Sequence, residues 1–129
     1  MISFEITEHF PVSSKELYTA WLDSHQHSAM TGGEAICSNK EGERFSAWDR
    51  YITGTNRKLV EGKEILQSWR TTEFDDAEED SELILKFVDT EVGCTLTLTH
   101  TNIPENQPDY KHGWIEHYFE PMKEYFATR

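Results

Sequence analysis

The stretch from Tyr110 to Phe126 constrains the fold more than any other part of the chain. Laid on a helix at roughly 100° per residue, Tyr110, Trp114, Ile115, Tyr118, Phe119, Pro121, Met122, Tyr125 and Phe126 fall within an arc of about 180°. His112, Glu116, Glu120, Lys123 and Glu124 take the opposite arc. An ordinary surface helix buries a stripe of roughly 100°, so this one needs a broad groove, which a concave sheet supplies. Pro121 has no N–H for the carbonyl of His117. That predicts a kink at Pro121, at a cost of roughly 3 kcal/mol unless packing compensates.

The remainder of the chain supplies the sheet. Ile2, Phe4, Ile6 and Phe10 share one phase of a period-two pattern, which predicts a half-buried first strand ended by Pro11. Ser13 followed by Glu16 has the form of a capping box, opening a short helix that presents Leu17, Tyr18, Trp21 and Leu22 on one face. A second, weakly amphipathic helix over 24–31 is expected to stop at Gly32-Gly33. From Glu34 onward the pattern is an antiparallel meander, with strands expected at 35–38, 44–53, 58–60, 64–72, 83–88 and 94–101 and turns at 40–42, 54–56 and 61–62. The inward phase between Phe45 and Arg70 is ambiguous, because apolar residues occur in both. The last strand is clear: Cys94, Leu96, Leu98 and His100 share one face and Thr95, Thr97, Thr99 and Thr101 the other, so one face is packed and one is wet.

At 129 residues and 36% hydrophobic content the chain fits a single domain, 1–129, with one core. Its net charge of −12 repels phosphate backbones and anionic lipid, so nucleic acid is not an expected partner. Seven acids lie within 73–82 and predict a solvated loop; without spaced oxygen ligands and a turn glycine it does not resemble a calcium loop. No run approaches the roughly 20 apolar residues of a membrane span and no secretory signal opens the chain, so membrane insertion is not expected and a cytoplasmic location is. Cys37 and Cys94 lack the spacing of a zinc or redox motif and are read as reduced thiols. His25-Gln26-His27 would diverge on a helix, and no metal or cofactor is expected.

The order of elements, together with three internal stretches, carries a resemblance to a known family. These are Phe45-Ser46-Ala47-Trp48-Asp49-Arg50-Tyr51-Ile52-Thr53-Gly54, then Gly62-Lys63-Glu64-Ile65-Leu66-Gln67-Ser68-Trp69-Arg70, then Thr95-Leu96-Thr97-Leu98-Thr99-His100. Gly113-Trp114 followed by Tyr118-Phe119-Glu120-Pro121-Met122-Lys123-Glu124-Tyr125-Phe126 completes the pattern. Over nearly its whole length the chain resembles the homologues of the activator of the heat-shock-protein-90 ATPase, specifically their C-terminal domain, within the START-like (SRPBCC) superfamily. The resemblance implies an α+β helix-grip fold: a curved antiparallel sheet of about six or seven strands wrapped around a long C-terminal helix, with one or two short helices after strand one. In the two-domain eukaryotic activators an additional N-terminal domain makes a principal contact with the chaperone. This chain starts at strand one without that domain, so a chaperone stays a possible partner while fold kinship alone does not transfer the activation.

The leading expectation for function is a non-enzymatic protein that holds a small hydrophobic molecule between sheet and C-terminal helix. The alternatives are an interaction module, as a chaperone cofactor or stress-associated partner, and last a cyclase- or hydrolase-type enzyme. Candidate cavity residues are Trp48, Trp69 and Trp114, with Tyr118 and Met122 from the helix. Leu85, Leu96, Leu98 and His100 complete them from the strands. Each tryptophan also reads as core, and His100 also reads as a histidine bonded to a backbone carbonyl or to a tyrosine such as Tyr118. Asp49 and Arg50, adjacent in an expected strand, would point to opposite faces and cannot enter one cavity together. No catalytic residues are assigned.

Overall fold

A computed structural model describes residues 1–127. The elements run β1 (Ile2–Phe10), α1 (Ser14–Leu22), α2 (Ser24–Thr31), β2 (Arg44–Ala47), β3 (Ile52–Val60), β4 (Glu64–Thr71), β5 (Ser81–Thr90) and β6 (Gly93–Ile103), followed by the C-terminal helix. The six strands form one antiparallel sheet in the order β1-β6-β5-β4-β3-β2. The meander places β2 to β6 side by side through local connections, and β1 joins the far edge against β6. The predicted helix-grip architecture is the one observed.

Local chemistry accounts for the two short helices. Ser13 Oγ accepts from the amide of Glu16, and Asp23 Oδ2 accepts from that of Gln26, so each helix begins on a side-chain cap. Gly32, at φ 91°, ends α2 in the left-handed conformation that a glycine adopts without a Cβ penalty.

Two strand expectations are corrected. Residues 35–38 form only an isolated bridge, Ile36 to Ser46. The strand expected over 44–53 is two strands joined by a turn at 48–51, where Trp48, Asp49 and Arg50 have φ of 51°, 57° and 72°. Three consecutive left-handed non-glycine residues store strain, which Asp49 offsets locally: its amide donates to Glu34 O at 3.0 Å and its Oδ1 accepts from Glu34 N at 3.1 Å. Conversely, the turn expected at 54–56 lies inside β3. Gly54 is there for close approach, since a Cβ would sit 1.9 Å from the carbonyl oxygen of Ser68.

The inward phase left ambiguous by sequence is occupied by Phe45 and Ala47 on β2, Ile52 and Asn56 on β3, and Ile65, Gln67 and Trp69 on β4, all buried. The acidic segment is a loop, but not a merely solvated one. Phe74 is buried against Trp69, and Arg70 reaches out of β4 to donate to Asp75 O, Glu78 O and Asp80 Oδ1 at 2.9, 3.0 and 2.7 Å. One guanidinium thus organises the turn.

The C-terminal helix covers the concave face, but it is not one α-helix. It consists of α3 (Tyr110–Trp114), a π-helical turn (Ile115–Phe119) and α4 (Glu120–Ala127). The irregularity expected at Pro121 falls one turn earlier: the Glu120 amide donates to Ile115 O, and Pro121 sits in the first turn of α4, where its missing donor is tolerated. The turn also sets the phase of the buried side. Tyr110, Trp114, Tyr118, Met122 and Phe126 are buried at four-residue spacing, which in a pure α-helix drifts roughly 40° per step. The wider turn takes up that drift and lets Tyr118 and Phe119, adjacent in sequence, both be buried, Tyr118 against Trp21 and His27 of the short helices and Phe119 against Phe10 of β1. Phe119 and Phe126 then meet Phe10 edge-on, with centroids at 6.0 and 6.4 Å.

Candidate ligand cleft

The helix does not seal the groove along its whole length. Beside α3 and the π turn lies a cleft of about 460 Å³. Trp48, Tyr51 and Ile52 wall it from the 48–51 turn and the start of β3, Trp69 from β4, and Tyr110, Trp114 and Tyr118 from the helix. Pro108, Asp109, His112, Gly113, Glu116 and His117 complete the lining. Gly113 belongs to the lining, and the space a Cβ would take there is open, with nothing within 4 Å.

The walls are held by ring packing. Trp69 meets Tyr110 at 5.0 Å and 81°, and Trp114 at 5.7 Å and 40°; Trp114 meets Tyr118 at 4.6 Å. Trp48 lies over Gly33, where a Cβ would come within 2.5 Å of the indole, and presents its ring to His117 at 5.7 Å. Its Nε1 is buried and has no acceptor among the described residues. The Tyr51 hydroxyl donates to Glu73, and the Tyr110 hydroxyl donates to Gln107 Oε1 at 2.8 Å while lying 2.7 Å from Thr71 Oγ1, so both tyrosines are fixed by their hydroxyls.

Four of the sequence-predicted residues, Trp48, Trp69, Trp114 and Tyr118, come together in this cleft. The other five do not line it: Leu85, Leu96, Leu98 and Met122 are completely buried in side-chain packing, and His100 lies beneath Trp114. His100 bonds within the protein, with different partners from those anticipated. Trp114 Nε1–H donates to its Nδ1 at 3.0 Å, and its Nε2–H donates to Ser81 Oγ at 2.8 Å, which in turn donates to Trp69 O at 2.6 Å. Burial lowers its pKa to about 3, and neither ring nitrogen is left for a ligand.

Tyr118 instead pairs with His27. A carbonyl only accepts, so His27 Nδ1–H donates to Trp21 O at 2.8 Å, and Nε2 accepts from the Tyr118 hydroxyl at 2.9 Å. Burial lowers the His27 pKa to about 4. His25 is exposed on another side of α2. Asp49 and Arg50 lie in the turn and do not line the cleft.

Sequence reasoning missed Tyr51, Tyr110, Asp109, Gly113 and Glu116. Asp109, His112 and Glu116 do follow one another at helical spacing, a signal that a second, polar margin runs beside the apolar arc.

The architecture and the sequence agree with one family. Residues 11–127 match the family described as Activator of Hsp90 ATPase homolog 1-like protein. The chain belongs to this family. It is 25% identical over 126 residues to an activator of 90 kDa heat shock protein ATPase homolog from Dictyostelium discoideum, covering 97% of this chain and 33% of that protein, so it spans about a third of the relative's length. Among solved structures it is similar to an HSP90 activator from Plasmodium falciparum, at 25% identity, a TM-score of 0.88 and coverage of 98% and 97% of the two chains. The fold alone is shared with the Aha1 dimer from Colwellia psychrerythraea, at 12% identity, a TM-score of 0.78 and coverage of 98% and 96%. Among the described residues, no helix is long and apolar enough to cross a bilayer.

Proposed function

We propose that the protein binds a small apolar molecule in the cleft beside α3 and the π turn. The observation that carries this reading is the cleft itself: about 460 Å³, walled by six aromatic side chains and left open at Gly113. That volume lies within the roughly 300–1,000 Å³ of small-molecule sites, and an apolar wall with a few polar groups at its margin is their usual composition. A π-helical turn and a strained left-handed turn on opposite walls fit the tendency of such irregularities to sit at functional sites.

Gly113→Leu tests the reading, because the added side chain enters the cleft without meeting another atom at its Cβ. Wild-type protein should enhance the fluorescence of an apolar dye saturably and carry a co-purified molecule in native mass spectrometry. The folded variant should do neither. Equal dye binding by both proteins would sink the proposal.

A second reading, an interaction module for a chaperone, is favoured by membership of the family and by the likeness to the Plasmodium HSP90 activator. The exposed acids of the 72–80 loop would steer such a complex toward a basic patch, with affinity that falls as salt rises. A pull-down with the 90 kDa chaperone and its ATPase rate at saturating protein test it. Unchanged turnover and no capture count against it. His100 does not suit a catalytic base, since both of its nitrogens are engaged inside the fold.

A further inference from the structure

From the composition of the cleft we infer that its ligand is an organic cation, an ammonium group on an apolar body, held by aromatic faces and two carboxylates. This rests on the small-molecule reading above and specifies the class of ligand.

Three observations lead there. First, the residues lining the cleft include Asp109 and Glu116 but, among the described residues, no lysine or arginine. A third carboxylate, Glu73, accepts from the hydroxyl of Tyr51, a lining residue, without lining the cleft itself. In a chain of net charge −12 the local field therefore opposes anions and draws cations. Each carboxylate engages one oxygen within the helix, Glu116 Oε2 at 2.9 Å from His112 Nε2 and Asp109 Oδ1 accepting the His112 amide at 3.2 Å, which leaves the second oxygen of each for a ligand.

Second, the rings stand in different planes. Trp69 is nearly perpendicular to Tyr110 and inclined by 40° to Trp114, so the wall is a corner and not a flat stack. A cation within about 6 Å of several ring centroids gains from each quadrupole, by roughly 0.5–2 kcal/mol depending on its desolvation. A neutral apolar ligand gains nothing comparable from the carboxylates.

Third, the same cluster already holds a cation on its outer side. The Arg70 guanidinium lies 5.3 Å from the centroid of Phe74, which packs against Trp69 and Tyr110 at 6.4 Å each. Arg70 combines that ring contact with the Asp80 carboxylate, and the cleft combines rings of the same cluster with Asp109 and Glu116 and no lysine or arginine in its lining.

The test compares benzyltrimethylammonium with its neutral carbon isostere, neopentylbenzene, by quenching of tryptophan fluorescence and by calorimetry at about pH 8, where an imidazole is ordinarily neutral. The cation should bind at least about tenfold more tightly, and the preference should shrink with salt. Asp109→Asn with Glu116→Gln should abolish the preference while leaving the affinity for neopentylbenzene within about twofold. Asparagine keeps the helix cap that Asp109 provides, and Glu116→Gln alone, at an exposed position, serves if the pair loses stability.

Each outcome is decisive. If neopentylbenzene binds as tightly as the cation, the small-molecule reading stands and the cation is overturned. Absence of binding by either probe overturns both. A peptide carrying trimethyllysine, tested in parallel, separates the sources of the cation: tighter binding than benzyltrimethylammonium assigns it to a partner's side chain, and weaker binding to a free ammonium compound. Both results support the cation.

Discussion

Trp114 Nε1–H donates to His100 Nδ1 at 3.0 Å, joining the C-terminal helix to β6 beneath the floor of the cleft. An indole N–H only donates, so the bond fixes His100 as the Nε2–H tautomer and passes its second bond on to Ser81. The tryptophan that walls the cleft is thereby held in place from behind. His100→Phe strands the Trp114 donor in a buried site, and a loss of about 1–3 kcal/mol in urea unfolding is expected. A smaller loss with unchanged near-ultraviolet circular dichroism would show that the bond does not position the indole.

The second buried histidine makes a link of its own. Tyr118→Phe leaves His27 Nε2 without its donor while preserving ring packing against Trp21 at 5.1 Å, so a loss of about 1–2 kcal/mol is expected, with little change in the cleft. Combined with His100→Phe, the losses should depart from additivity by about 0.5 kcal/mol or more, because Trp114, the partner of His100, packs on Tyr118 at 4.6 Å.

Both histidines make the fold sensitive to acid. Their folded pKa values, about 4 for His27 and about 3 for His100, lie below the ordinary histidine value, so between that value and the folded ones the unfolded chain binds more protons. Stability should therefore be fully present above about pH 6.5 and fall as pH drops toward 4, by at most about 1.4 kcal/mol per pH unit for each histidine. Denaturant midpoints measured from pH 7 to pH 4.5 check this. His27→Gln should reduce the slope by about one proton per molecule.

Neither thiol should react readily in the native protein. Burial raises the pKa of Cys37 to about 12, with Asp23 adding to the effect, and that of Cys94 to about 11. A thiol-exchange dye near pH 8 should titrate both cysteines at once in denaturant and label them far more slowly in buffer.

Gly113→Ala should stabilise the protein. The position is helical and a Cβ meets nothing within 4 Å, so the gain approaches the roughly 0.8–1.0 kcal/mol separating glycine from alanine in a helix, read as a rise in melting temperature.

Arg70→Met should loosen the acidic loop without unfolding the sheet. Its three bonds to the 75–80 segment are lost together, so amide exchange and proteolysis should accelerate there while β4 stays protected.

Much of this protein was determined by local pattern. Period-two alternation marked β1 and β6, a serine three residues before a glutamate marked the start of α1, and the aromatic arc at 110–126 called for a concave sheet. Trp48, Trp69, Trp114 and Tyr118 were nameable because large rings in such an arc, or opposite it, face the covered side. What tertiary structure decided is of another kind. The left-handed turn at 48–51 carries no glycine to announce it, and it is sustained by Glu34, fifteen positions away. The π turn narrows the arc that a four-residue spacing spreads around an ideal wheel, and it leaves Tyr118 buried against Trp21 and His27 and Phe119 against Phe10. His100 received Ser81 and Trp114 as partners, not Tyr118, because strand register placed Ser81 opposite Trp69 beside it. Periodicity records which side of an element is apolar. Only packing decides which atoms meet there, and so where a cleft is left open.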